Sequence, residues 1–313
     1  MPPRPGERSL IPVSVSGQWG YADRKGNLVI PPQFAFAGEF VEGLARVNVG
    51  AQGSSGAVGG QWGYIDPGGQ WKIPLRFDQA DDFSEGLAAV NTGARVEYWA
   101  HEDQYYMRGS KWGFINAGGG WGLEPQFDGA SSFSGGLAPV SSGANSFFID
   151  CTGACRITGD FRCAFRFSEG RAAVEVGGLW GYVDGSGNWV APPRFDTAGS
   201  FSEGLAAGFI RQPRRRVFVD LEGREAFAAP EGCGYVGEFS EGLVWASWGS
   251  WTIPKPRALR SERSGCGYLG RTGQWVIEPR FESADGFRDG LAGVSLNGRY
   301  LLIDAAGAVI WRE

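Results

Sequence analysis

The chain has 313 residues, 42% of them hydrophobic, with 52 Gly, 17 Pro and 13 Trp, and its 29 basic and 34 acidic residues leave a net charge of −5. That balance speaks against a strongly basic, general nucleic-acid binder; no stretch approaches the roughly 18 consecutive apolar residues of a membrane-spanning helix, and no helical spacing of apolar residues is sustained. Many short strands and tight turns remain, with aromatic side chains supplying most of the buried area.

In chain order, residues 1–9 read as a flexible, proline-rich lead-in without an apolar signal core. A cytoplasmic protein is expected from this, with secretion by a route lacking an N-terminal signal as the other possibility, and 10–313 reads as one repeat domain. Residues 10–15 read as a strand, and residues 61–93 hold the unit on which the rest of the chain is patterned. Trp62-Gly63-Tyr64-Ile65 is a first strand, and Asp66-Pro67-Gly68-Gly69 suits a type I turn whose closing glycine takes positive φ. Trp71-Lys72-Ile73 is the return strand and stops at Pro74, which has no N–H for a ladder. A polar connection through Phe83-Ser84-Glu85-Gly86 leads to a third strand, Leu87 to Val90.

Copies of this unit recur about every 34 residues, with the position of Trp62 repeated at 19, 112, 146, 180, 216, 266 and 300. Trp19-Gly20-Tyr21, Trp62-Gly63-Tyr64, Trp112-Gly113-Phe114 and Trp180-Gly181-Tyr182 are intact, and FSEGLA recurs around Phe83, Phe201 and Phe239; Ser146, Arg216, Cys266 and Tyr300 stand where the other units have Trp. The pattern resembles the WG repeat family of bacterial β-repeats over residues 10–311. The resemblance implies an all-β chain of eight tandem three-stranded antiparallel units, and no shared catalytic activity to carry over. Eight whole units with nothing left to cap either end favour a propeller-like closed ring over the alternative, an open β-hairpin solenoid.

Insertions fall between a third strand and the next first strand, at 50–60, 94–110, 211–215 and 249–264, so they are expected on one face, where repeat scaffolds carry their binding surfaces. The 94–110 insertion holds Tyr98, Trp99, His101, Tyr105 and Tyr106, either an aromatic platform for a ligand or a cluster that folds a long loop over itself. The segments 211–216 and 249–264 bring Arg211, Arg214, Arg215 and Arg216 and then Lys255, Arg257, Arg260 and Arg263, beside Trp248 and Trp251. These make either an electropositive patch for an anionic partner or a solvated face paired with the repeat acids.

The recurring acids Glu42, Glu85, Glu169, Glu203, Glu241 and Asp289, and Asp78, Asp128, Asp196 and Glu282, read as turn and capping residues, and the recurring Trp and Phe as core. Cys151 and Cys155 flank one turn and read as small hydrophobes, with a disulfide or part of a metal site as the competing reading. One histidine removes most Ser/His/Asp, Cys/His and His-rich metal arrangements, no nucleophile constellation is seen, and no cofactor is expected. The expectation is a non-enzymatic scaffold that binds a macromolecular partner, a protein with an acidic segment, through its inserted loops. A carbohydrate or cell-envelope ligand-binding module using exposed aromatics is the alternative, and a glycoside-processing enzyme would need two close carboxylates with one raised pKa.

Overall fold

A computed structural model describes residues 10–52, 58–99, 104–248 and 265–312, and for residues 52, 58, 95–99 and 104–108 the backbone alone. All regular elements among them are strands. They form eight small antiparallel sheets of three or four strands in sequence order, the blades of an all-β fold of the β-propeller class, plus a two-stranded hairpin inserted in blade 3. Blades 1–4 belong to one compact unit, up to Arg166, and blades 5–8, apart from the edge strand Cys163–Ala164 of blade 5, to a second, from Phe167 on.

Blade 2 shows the standard build: Phe36–Ala37, Ala45–Gln52, Val58–Ile65 and Trp71–Phe77, paired in that order. The expected three-stranded unit therefore needs a correction. A two-residue strand on the far side of the third strand completes most blades, at Gln79–Ala80 in blade 3 and Ser283–Ala284 in blade 8, whereas blade 1 has three strands. In blade 3 the 94–110 insertion is itself a hairpin, Arg95–Trp99 against Gln104–Arg108.

The glycine of the Trp-Gly pair is dictated by the return strand. In blades 2, 3 and 5 the ladder between first and return strand skips at this residue: Trp62 pairs with Phe77 and Tyr64 with Ile73, with a bulge between. The bulged backbone passes directly over the glycine, so a Cβ on Gly181 would lie 2.6 Å from the Ala191 carbonyl oxygen and 2.8 Å from the Pro193 nitrogen. Where the position is not glycine the skip at that residue is absent: Val217 pairs with Ala228 and Phe218 with Phe227, Leu301 with Arg312 and Leu302 with Trp311, and the register shifts only after Phe218 and Leu302.

The core centres on the residue after that glycine. Tyr21, Tyr64, Phe114, Tyr182 and Tyr268 are fully buried, and each of the tyrosines ring-packs on the phenylalanine just before the next acid-glycine turn, as Tyr182 does on Phe201 at 4.9 Å. The tyrosine hydroxyls donate to the carbonyls of Gly38, Asp81, Gly199 and Asp285, and burial raises their pKa values. The signature tryptophans are core at one remove, since Trp19, Trp62, Trp112 and Trp180 are only half-buried and line the edges of these clusters.

Gly181→Ala should therefore cost about 1–3 kcal/mol through overpacking against backbone that cannot yield. Gly185→Ala in the same blade, where an added Cβ meets nothing within 4 Å, should stay within about 0.5 kcal/mol. Urea denaturation of both variants decides this, and equal midpoints would show that the crossing strand imposes no constraint.

Candidate functional site

The frame consumes three classes of repeated acid, and what they hold determines what is left for recognition. Asp66 Oδ1 accepts from the amides of Gly68 and Gln70, closing the D-x-x-G turn, and Asp23, Asp150, Asp184, Asp220 and Asp304 accept in the same way. Asn116 does so in blade 3 with an amide oxygen. The second class closes the opposite end of the blade: Asp78, Asp128, Asp196 and Glu282 accept from the amides of Ala94, Gly143, Arg211 and Gly298, each in the loop between third and first strand.

The third class sits in the Ser-Glu-Gly segment. Ser84 and Leu87 exchange both backbone hydrogen bonds around Glu85-Gly86, and both turn residues have positive φ, 56° and 82°. This is a type I′ hairpin turn, whose first position ordinarily goes to Asn, Asp or Gly. Glutamate there is strained by about 1–2 kcal/mol, and its carboxylate explains its presence. Glu85 accepts from the amides of Gly135 and Gly136 in the next repeat, Glu169 from Gly204, Glu203 from Glu241 and Gly242, and Glu241 from Gly290. Beside it the serine hydroxyl donates to the next repeat's phenylalanine carbonyl, as from Ser202 to Phe239 at 2.6 Å. These acids tie successive blades together within each compact unit.

One charged cluster lies outside these classes. In blades 2 and 3 Arg46 is 3.7 Å from Asp81 and 3.0 Å from Asp82, donates to the Ala80 carbonyl, and lies over the rings of Phe36 and Trp62. Burial raises the pKa of both aspartates, against the lowering effect of Arg46. The arginine is thus held by two carboxylates, a carbonyl and two rings of its own neighbours.

The loop residues fall out unevenly. In the inserted hairpin Tyr98 stands opposite Tyr105 and Glu97 opposite Tyr106, with Trp99 opposite Gln104; His101, Trp251, Lys255, Arg257, Arg260 and Arg263 lie outside the described residues. Arg211 is ion-paired with Asp196 at 3.2 Å and Arg215 with Glu225 at 2.6 Å, while Arg214 is exposed. Trp248 packs on Trp275, ring centres 6.0 Å apart, and over Gly232. Cys151 and Cys155 are free thiols, and the described residues contain no group of three or more His, Cys, Asp or Glu placed to hold a metal ion.

Arg216, read above as one of a basic cluster at a tryptophan position, lies in the strand Arg215–Asp220 of blade 6, and its ring contacts are what the sequence did not show. It occupies a signature-tryptophan position, opposite Phe209, and its guanidinium lies 5.2 Å from the Phe209 ring centre and 5.5 Å from that of Tyr235 in blade 7. Its Nε donates to the Gly234 carbonyl. The signal was in the sequence, as a cation where the repeat has a ring.

The model of the WG containing repeat matches residues 19–51, 62–94, 112–144, 160–180, 180–207 and 267–300, more than half of the chain. No curated protein matches. Among solved structures, a eukaryotic initiation factor is similar with a TM-score of 0.58 and 12% identity, over 97% of this chain and 84% of that one. A prolyl endopeptidase structure gives 0.49 and 11% over 95% of this chain and 54% of that one, and apo AztD from Citrobacter koseri gives 0.41 and 12% over 86% and 80%. At such identities the first likeness is one of fold.

The turn aspartates carry a pH signature. The Thr152 hydroxyl and the Arg156 guanidinium hold the Asp150 carboxyl at about 2, below its ordinary 3.8, and hydrogen bonds likewise lower Asp23, Asp66, Asp184 and Asp220. A folded-state pKa below the unfolded one stabilises the protein above the unfolded value, and that stability is lost as pH falls from about 4 through the folded value. Asp81 and Asp82, whose pKa values are raised, act in the opposite sense. Asp150→Asn should keep the turn at neutral pH, as Asn116 does, and make the melting temperature fall less steeply between pH 4 and about 2; an acid profile identical to the parent's would remove Asp150 from the account.

Proposed function

The chain belongs to the WG-repeat family, and from that premise we propose that it is a non-enzymatic scaffold that binds a macromolecular partner, a protein with an acidic segment, through the loops inserted between third and first strands. One observation carries the reading. The recurring carboxylates are consumed in closing turns and joining blades, so chemistry that differs from repeat to repeat is concentrated in the insertions and in the units that depart from the pattern. Loops on a rigid repeat frame vary freely because the frame does not depend on them.

The carbohydrate-binding alternative has exposed rings in its favour, with Trp71 at 44% and Trp189 at 42% exposure. Both rings, however, lie across a signature glycine, Trp71 over Gly63 and Trp189 over Gly181, and Trp71 packs edge-on against Phe34 as well. Their free faces are by-products of framework packing.

Deleting 94–110 and 249–264 together should abolish capture of the partner that the intact protein enriches from its native host, with a melting temperature close to the parent's. Separately, serine at Arg257, Arg260 and Arg263 should slow association most at low salt, where charge contacts reach furthest. Undiminished capture by the loop-deleted protein would overturn the loop reading.

A further inference from the structure

Among the described residues, two arginines each lie against two aromatic rings. Arg46 lies beside Phe36 and Trp62, whose ring centres are 5.3 Å apart, and faces two carboxylates, those of Asp81 and Asp82. Arg216 lies against Phe209 and Tyr235, and none of the ion pairs among the described residues involves it. Its surroundings hold it in place. Phe209 faces it directly across the strand pair, the Gly234 carbonyl accepts from its Nε, and the Ala229 amide donates to its backbone carbonyl. Tyr235 is itself pinned, since its amide donates to Ser247 Oγ at 2.8 Å and the hydroxyl returns a bond to the Tyr235 carbonyl at 3.3 Å.

The result is a half-buried, oriented guanidinium with Nε engaged, beside a tyrosine that is 54% exposed. Burial lowers its pKa from the ordinary arginine value, with Arg214 acting in the same direction, yet an arginine keeps its charge in a protein. A fixed guanidinium presents paired N–H donors in a planar fork that matches a carboxylate, and the ordering that such a bond usually costs has already been met. We propose that Arg216, flanked by Phe209 and Tyr235, is an anchoring site for a side-chain carboxylate of an acidic peptide segment, with exposed Arg214 as an outer contact. The site rests on the scaffold reading above and supplies its partner chemistry.

A peptide carboxylate fits better than a nucleic-acid backbone. Strand binding needs a succession of free cations to follow the phosphates, whereas Arg211 and Arg215 are already paired with Asp196 and Glu225 and the whole chain is acidic.

The test uses the full chain, a labelled glutamate-rich peptide and a single-stranded oligonucleotide, with anisotropy measured at about 0.01 M salt, where the Debye length is about 30 Å. Arg216→Trp restores the ring that intact repeats carry, so it should leave the melting temperature unchanged and weaken peptide binding about tenfold or more, the scale of a lost charge-assisted hydrogen bond. Arg216→Lys, which keeps the charge without the fork, should fall between. Peptide binding that is equal in parent and Arg216→Trp overturns the site, as does a parent that prefers the oligonucleotide. If peptide binding survives Arg216→Trp but is lost on deleting 249–264, the site falls and the loop reading stands. If Arg216→Trp abolishes peptide binding while loop deletion leaves native capture intact, the site stands and the loop reading falls.

Discussion

The constraint on which the blade depends is the passage of a return strand over the residue that follows the signature tryptophan. A carbonyl that would lie 2.6 Å from any Cβ at Gly181, or 2.7 Å at Gly63, leaves room for glycine alone. The bulge that puts it there shifts the ladder between residues 180 and 182, so the residue at 182 becomes the buried centre while Trp180 moves to the rim. Bulges of this kind re-aim side chains and sharpen twist. The same local device thus sets which ring is core, which is edge, and where the tyrosine hydroxyl reaches. Blades 6 and 8 show the converse, since Val217 and Leu301 keep their side chains, the ladder runs in step past them, and it shifts only after Phe218 and Leu302.

Joining blades requires polar work that apolar packing does not do. A glutamate at positive φ is an unfavourable choice for a type I′ turn, and it recurs at 42, 85, 169, 203 and 241. Strain that persists in copy after copy implies a compensating interaction, and the compensation is visible: at each of these positions the carboxylate reaches amides of the following repeat's turn. Position 135 is glycine, relaxed at φ 65°, and offers no carboxylate. The glutamates that most resemble a catalytic set, at 42, 85, 169, 203 and 241, each act as structural hydrogen-bond acceptors.

Much of this was legible in the residues. Linked motifs in fixed order gave eight units and the strand and turn boundaries, because each D-x-x-G turn and each proline at the end of a return strand acts through local backbone chemistry. The two-residue strands Phe36–Ala37 and Gln79–Ala80 were not legible, being too short for any alternation and existing only by pairing with a neighbour. Nor was the rank of tryptophan against tyrosine, since composition marks both as buried and only the bulge decides between them. Within the candidate site, the identity of the basic residues was readable but not their pairing: Arg211 and Arg215 look equivalent to Arg216 in sequence, yet Asp196 and Glu225 occupy the first two.

The units that depart from the pattern show how a repeat frame acquires individuality. Where tryptophan is lost, Ser146 fills the place as a buried hydroxyl that donates to the Arg162 carbonyl, and Cys266 as a buried thiol directed at the Glu282 carbonyl. Both substitutions satisfy the frame and nothing else. Arg216 satisfies it too, because a guanidinium against two rings packs much as an indole would, but it brings a charge that the described residues leave without a carboxylate. Arg46 makes the comparison sharp, since it too lies against two rings but faces Asp81 and Asp82. Among the described residues the frame supplies two carboxylates to Arg46 and none to Arg216, which is a structural clamp at the first and, on the reading proposed above, a recognition point at the second.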